Sequence, residues 1–161
     1  MEKIGYQVNV PVFPTPENQN LESWIDVLNN LHKELGPETI IIGHSIGATF
    51  ILSILESLDL SVRAVFLISG FLGLLDNEEF DNLNATFITR VFNWEKIKSN
   101  AGKIFIYHSD DDPYVPIENA NILAKRLGVK PNIINNAGHF NEKAGYKEFP
   151  KLLLDIKSLD N

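Results

Sequence analysis

A doubly wound, mostly parallel α/β sheet of about five strands, with helices on both faces, is the fold class predicted by this sequence. Three observations lead there. Short apolar runs without alternation recur at residues 39–42, 62–69 and 103–108, and such runs suit parallel strands that are covered on both faces. Stretches with apolar residues at helical spacing lie between them. Strands alternating with helices in this way build β-α-β units, whose crossovers place the strands parallel.

In chain order, Gly5-Tyr6-Gln7-Val8-Asn9-Val10 alternates and ends at Pro11, which predicts a strand over 5–10. Pro11, Pro14 and Pro16 then hold an extended loop. From Asn20, a suitable N-cap, the residues Leu21, Trp24, Ile25, Leu28, Leu31 and Leu35 keep helical spacing until Gly36-Pro37 stops the helix. That helix contains His32. The strand at 39–42 precedes a helix over about 45–58 that is apolar nearly all round (Ile46, Phe50, Ile51, Ile54, Leu55, Leu58), hence central and buried. Residues 70–93 follow the 62–69 strand, show no clean period and carry several phenylalanines; they read as a lid or cap segment. A short helix at 94–99 leads to the 103–108 strand. Pro116 opens a helix with Ile117, Ala120, Leu123, Ala124 and Leu127 on one face, closed by Gly128. A short strand, Pro131–Ile134, and an amphipathic helix over 146–159 complete the chain.

The composition narrows the function. The chain has 161 residues and reads as one domain, 1–161, long enough for a sizeable core. Its net charge of −7 and lack of basic runs disfavour nucleic acid, whose binding needs a basic face. With no cysteine, thiolate catalysis and cysteine-based metal sites are excluded. No apolar leader or stretch approaching 18 apolar residues is present, so the expectation is a cytoplasmic protein without a membrane span.

The chemistry centres on Thr39-Ile40-Ile41-Ile42-Gly43-His44-Ser45-Ile46-Gly47-Ala48-Thr49-Phe50, an apolar strand, then G-x-S-x-G, then a helix. This is the nucleophile-elbow arrangement of an α/β hydrolase. A serine acts as nucleophile only if its Oγ stands clear of the backbone, which a sharp strand-to-helix turn achieves through strained torsions. Strand and helix then come so close that small residues are expected at both Gly43 and Gly47. The new helix aims free N–H groups, that of Ile46 included, at a developing oxyanion.

Such a serine needs a base, held in one tautomer by a carboxylate, and in this fold the order is Ser, acid, His. Asp110-Asp111-Asp112-Pro113 follows the third buried strand at its C-terminal end, where sites gather in open parallel sheets. The same aspartates also suit a solvated cap for the helix that Pro116 begins. Asn136-Ala137-Gly138-His139-Phe140 follows the last strand, and only His139 among the four histidines lies downstream of both serine and aspartates.

Ile40-Ile41-Ile42-Gly43-His44-Ser45-Ile46-Gly47-Ala48, Asn93-Trp94-Glu95-Lys96-Ile97-Lys98, Ser109-Asp110-Asp111-Asp112-Pro113-Tyr114-Val115-Pro116 and Gly138-His139-Phe140 together resemble the retinoblastoma-binding protein 9-like small serine hydrolases, whose bacterial members are often labelled predicted esterases. The resemblance covers nearly the whole chain from Gly5. It implies Ser45 as nucleophile, His139 as base and Asp112 as acid, from the D-x-x-V-P pattern, with Asp111 in reserve. Relatives carry a first strand, an oxyanion loop and a helix ahead of the part matching residues 5–10. Without that loop only the Ile46 N–H is available to the oxyanion, and an uncovered central strand edge predicts a homodimer.

The expected function is hydrolysis of a small-molecule ester, with no cofactor and no metal, although Asp110–Asp112 could hold a weak Ca²⁺ or Mg²⁺. Phe71, Phe87, Phe92 and Trp94 are the candidates to line an acyl pocket; packing on the core is their other reading. The alternative function is a binding module on a hydrolase scaffold.

Overall fold

The computed structural model describes residues 1, 5–31 and 34–160. Four strands form one sheet: β1 (Ile40–His44), β2 (Ala64–Ile68), β3 (Lys103–Ser109) and β4 (Pro131–Ile134). All are parallel and lie side by side in chain order. The helices are α1 (Leu21–Asn29), α2 (Ile46–Ser57), α3 (Glu78–Ile88), α4 (Trp94–Asn100), α5 (Glu118–Leu127) and α6 (Pro150–Lys157). Short 3₁₀ turns lie at Glu142–Ala144 and Ser158–Asp160. Among the described residues no helix is long and apolar enough to cross a membrane.

Every residue of β2 is buried, as a strand covered on both faces must be. Its side chains alternate between two cores. Val65 and Leu67 join residues of α1 to α5, among them Trp24, Leu52, Phe87, Ile97 and Leu123. Ala64, Phe66 and Ile68 join Tyr107, Ile156 and Leu159 on the other face. Helices thus lie on both faces, α1 to α5 on one and α6 on the other.

Some boundaries differ from expectation. Residues 5–10 form no strand, so the sheet has four strands rather than about five. Val8 and Val10 are 40% and 80% exposed, so the alternation there serves no buried face, and Tyr6 instead packs toward α6 and donates its hydroxyl proton to Asp160. β1 therefore has β2 on one side and, among the described residues, no strand on the other. The last helix starts at Pro150 rather than 146, because the residue before a proline is pushed out of the helical region while proline itself suits the first turn. Residues 70–93 contain α3, whose N-cap Asn77 accepts from the Phe80 N–H and whose Phe87 and Ile88 enter the core. α1 ends at Asn29 with Asn30 as its C-cap and Leu31 in a turn, and Leu35 is not helical, so the helix is shorter than the expected run to Gly36; the expected helical position of His32 lies outside the described residues.

Candidate active site

The strand ladder continues one residue past each C-terminal end. The Ser45 N–H donates to Ile68 O (2.8 Å), Ser69 N–H to Tyr107 O (2.9 Å) and Asp110 N–H to Ile134 O (3.4 Å). Ser45, Ser69 and the aspartate loop are thereby set along one edge of the sheet.

Ser45 stands at φ 55°, ψ −125°, a left-handed conformation that costs a non-glycine residue about 1–3 kcal/mol. A Cβ at Gly43 would lie 2.5 Å from Gly47 O and 2.7 Å from Ile51 Cδ1, so β1 and α2 approach this closely only with glycine there. The matching expectation for Gly47 is corrected: a Cβ there would meet nothing within 4 Å. Ser45 makes no side-chain cap to α2; its backbone oxygen accepts from the Ala48 N–H (3.0 Å), and its hydroxyl leaves the Ile46 N–H unoccupied.

The three aspartates take separate partners. Asp110 Oδ1 accepts from Asn136 N–H (2.9 Å), and Asp111 Oδ1 accepts from Gly138 N–H (2.8 Å) and Ser109 Oγ–H (2.5 Å). It is Asp112 that meets the imidazole: His139 Nδ1 lies 2.8 Å from Oδ2 and 3.0 Å from Oδ1. A carboxylate can only accept, so Nδ1 carries the proton and Nε2 is left with its lone pair. Asp112 also accepts from Tyr114 N–H (3.0 Å), Val115 N–H (3.1 Å) and Ser69 Oγ–H (2.8 Å), and its side chain is 1% exposed. Burial pushes this carboxyl up, but the bonds from His139, Tyr114, Val115 and Ser69 outweigh it and hold its pKa at about 2. Asp111, bonded first by Ser109 and then by Gly138, is also held below the ordinary value.

Two further histidines brace these loops, and neither was singled out from sequence. His108, wholly buried on β3, donates Nε2–H to Val115 O (2.9 Å), fastening the aspartate loop from below. His44, inside the elbow, donates Nε2–H to the backbone oxygen of His139 (2.7 Å), and the two rings lie 4.5 Å apart. His44 sits at the open edge of β1, yet its ring is packed against the histidine loop; desolvation and then the adjacent His139 hold its pKa below the ordinary value. Among the described residues Ser45 Oγ is not hydrogen-bonded to the His139 ring. Catalytic contacts of this kind commonly tighten only when substrate is bound.

Of the expected acyl-pocket aromatics, Phe71, Phe87 and Phe92 are buried in the core. Phe87 packs on Trp24 (4.9 Å), while Trp94 packs on Phe92 and lies under Arg126 at the α4–α5 surface. The structure thus places these rings in packing roles, because apolar rings gain most by full burial. Besides His44, the aromatic rings it brings toward His139 are others, Tyr114 and, behind it, Phe80.

A parallel α/β sheet carrying a strained serine between β1 and α2, with a carboxylate–histidine pair on neighbouring loops, defines the α/β-hydrolase class. The comparisons carry this to a family. A serine hydrolase family model matches residues 7–158. Serine hydrolase RBBP9 of Rattus norvegicus is 31% identical over 99% of this chain and 81% of its own length. The YdeN protein of Bacillus subtilis is 29% identical over 91% of this chain and 76% of its own. The crystal structure of that ydeN gene product superposes with a TM-score of 0.90, covering 98% of this chain and 84% of the other at 27% identity. The chain belongs to the serine hydrolase family, among its small RBBP9- and YdeN-like α/β hydrolases, and is a hydrolase.

Proposed function

We propose that this hydrolase cleaves small carboxylic esters through an acyl-enzyme on Ser45. The observation that carries the reading is the His139–Asp112 pair, bonded through Nδ1 so that Nε2 is free to act as base, on the same sheet edge as the strained serine. Ser45 Oγ attacks the ester carbonyl as His139 Nε2 takes its proton, and Asp112 stabilises the imidazolium without being protonated. The Ile46 N–H receives the negative oxygen. The tetrahedral centre collapses, breaking the bond to the alcohol oxygen, which leaves with the proton from His139. Water then gives a proton to Nε2 and attacks the acyl carbon; Ser45 Oγ departs with that proton and the acid is released.

Amides and thioesters would pass through the same steps, each leaving group taking the same single proton from His139. Residues 70–93 act as the cap over the site. A cytoplasmic setting fits a sequence without cysteine. No cofactor enters any step. The test is hydrolysis of p-nitrophenyl acetate with a burst and an acetyl adduct on the peptide carrying Ser45. Ser45→Ala is expected to abolish both; turnover surviving in that variant would overturn the reading.

A second reading has one observation in its favour, the outer edge of β1 beside Ser45, which no strand pairs among the described residues. An edge of this kind recruits strands from other chains, which would make the protein a dimeric binding module. A stable dimer by sedimentation, with no acyl adduct, would favour it.

A further inference from the structure

Tyr114 and Phe80 come from distant parts of the chain and meet beside the catalytic histidine. The Tyr114 ring stands edge-on to His139 at 5.2 Å, an interplanar angle of 81°. Phe80, on α3, lies parallel to Tyr114 at 6.4 Å and 11°. Unlike Phe71, Phe87 and Phe92, these two rings are not buried: Tyr114 is 45% and Phe80 40% exposed. Two large rings left half in water forgo the burial that aromatic side chains usually reach. Each is also held in place by its backbone. The Tyr114 N–H is bonded to Asp112, and the Phe80 N–H to the Asn77 cap of α3. A fixed, half-exposed apolar wall beside a base is a surface for apolar substrate.

We propose that Tyr114 and Phe80 form the subsite for the alcohol part of the ester, selecting alcohols with an apolar, preferably aromatic, body. The inference rests on the reading of His139 as the base. The alcohol oxygen is the atom that receives the proton from His139 Nε2, so the group carried by that oxygen leaves next to the imidazole. Besides the His44 ring, Tyr114 is the ring packed against that imidazole, and Phe80 extends the wall away from it. A benzyl or similar group there covers both rings, whereas a methyl or ethyl group covers neither.

The experiment compares kcat/KM for benzyl acetate and ethyl acetate, and in parallel for ethyl phenylacetate and ethyl acetate. Wild type is expected to prefer benzyl acetate by about tenfold or more. Tyr114→Ala and Phe80→Ala are expected to reduce that ratio several-fold each, while Tyr114→Phe, which keeps the ring, retains it. A benzyl-to-ethyl ratio near one, or one unmoved by both alanine variants, overturns the inference. So does a preference that the variants reduce on the phenylacetate side instead. Binding of benzyl acetate to Ser45→Ala, followed by NMR shifts of the Tyr114 ring, separates this from the acyl-enzyme reading. Shifts with no turnover in wild type would sink the mechanism and leave the subsite standing; no shifts would sink the subsite even in a working esterase.

Discussion

On the β3–β4 side of the site, polar side chains tie two loops together: Asp110 and Asp111 hold the backbone of residues 136–138, Asp112 holds the His139 ring, and Ser69 and the Val115 backbone hold Asp112. On the β1 side, Ser45 has one backbone bond to Ile68, a strained torsion pair and the close approach of strand and helix at Gly43. The first half is specified by side-chain hydrogen bonds, exposed at Asp110 and Asp111 and buried around Asp112, where every acceptor must be satisfied. The second is specified by backbone shape, with Gly47 facing open space and, among the described residues, no strand on the outer edge of β1. His44 is the side chain that joins them, reaching from the elbow to the His139 carbonyl.

The comparison is broken most severely on the bonded side. Asp112→Asn removes the acceptor that fixes the His139 tautomer and is expected to lower kcat about 10⁴-fold. Steady-state ester hydrolysis checks this, with circular dichroism showing the fold intact. A loss below tenfold would mean that the network positions loops without orienting the base.

Breaking the other half tests shape rather than bonding. Gly43→Ala forces a Cβ against the Gly47 carbonyl and is expected to destabilise the protein by about 1–3 kcal/mol. The measurement is a shift in urea midpoint with an unchanged slope. Gly47→Ala, where a Cβ finds open space, is the control with the smaller shift.

That contrast explains what could be read in advance. The elbow was legible because its constraint is local: a glycine two residues before the serine, a β-branched strand ahead and an apolar helix behind. The aspartate loop and the His139 loop follow β3 and β4 in the order the fold requires, whereas the choice of Asp112 among the three aspartates rests on the family resemblance. Ser69 and His108 were not legible: the partner of Ser69, Asp112, is 43 residues away on a loop that the β2–β3 pairing brings alongside, and the partner of His108, Val115, is reached only through the fold of the aspartate loop. The 5–10 alternation misled because a period of two says nothing about whether a face is available to bury it. α3 shows no clean period because its buried residues are Asn84, Phe87 and Ile88, one of the three an asparagine, while Phe80 is left half-exposed. That Asn84 is 2% exposed and satisfied by Gln19 and the Phe80 carbonyl.

The bonded half also carries a pH signature. Asp112 titrates at about 2 when folded, against an ordinary 3.8. A carboxyl lowered on folding contributes stability that is fully present above the ordinary value and is lost as pH falls through the folded one. The protein is therefore expected to lose about 2 kcal/mol from this group between roughly pH 5 and pH 2. Urea unfolding across that window reads it, and Asp112→Asn should flatten that part of the curve. The smallest effect is expected at the joint. His44→Ala should lower kcat about tenfold with little change in KM, and His44→Gln, which keeps a donor, should restore part of it.

The most direct test of the site as a whole is fluorophosphonate labelling read by intact mass and peptide mapping. Wild type is expected to take one adduct per chain, on Ser45, and both Ser45→Ala and His139→Ala should take none. A folded wild-type chain that stays unlabelled, or an adduct that survives His139→Ala, would contradict a serine activated by the His139–Asp112 pair.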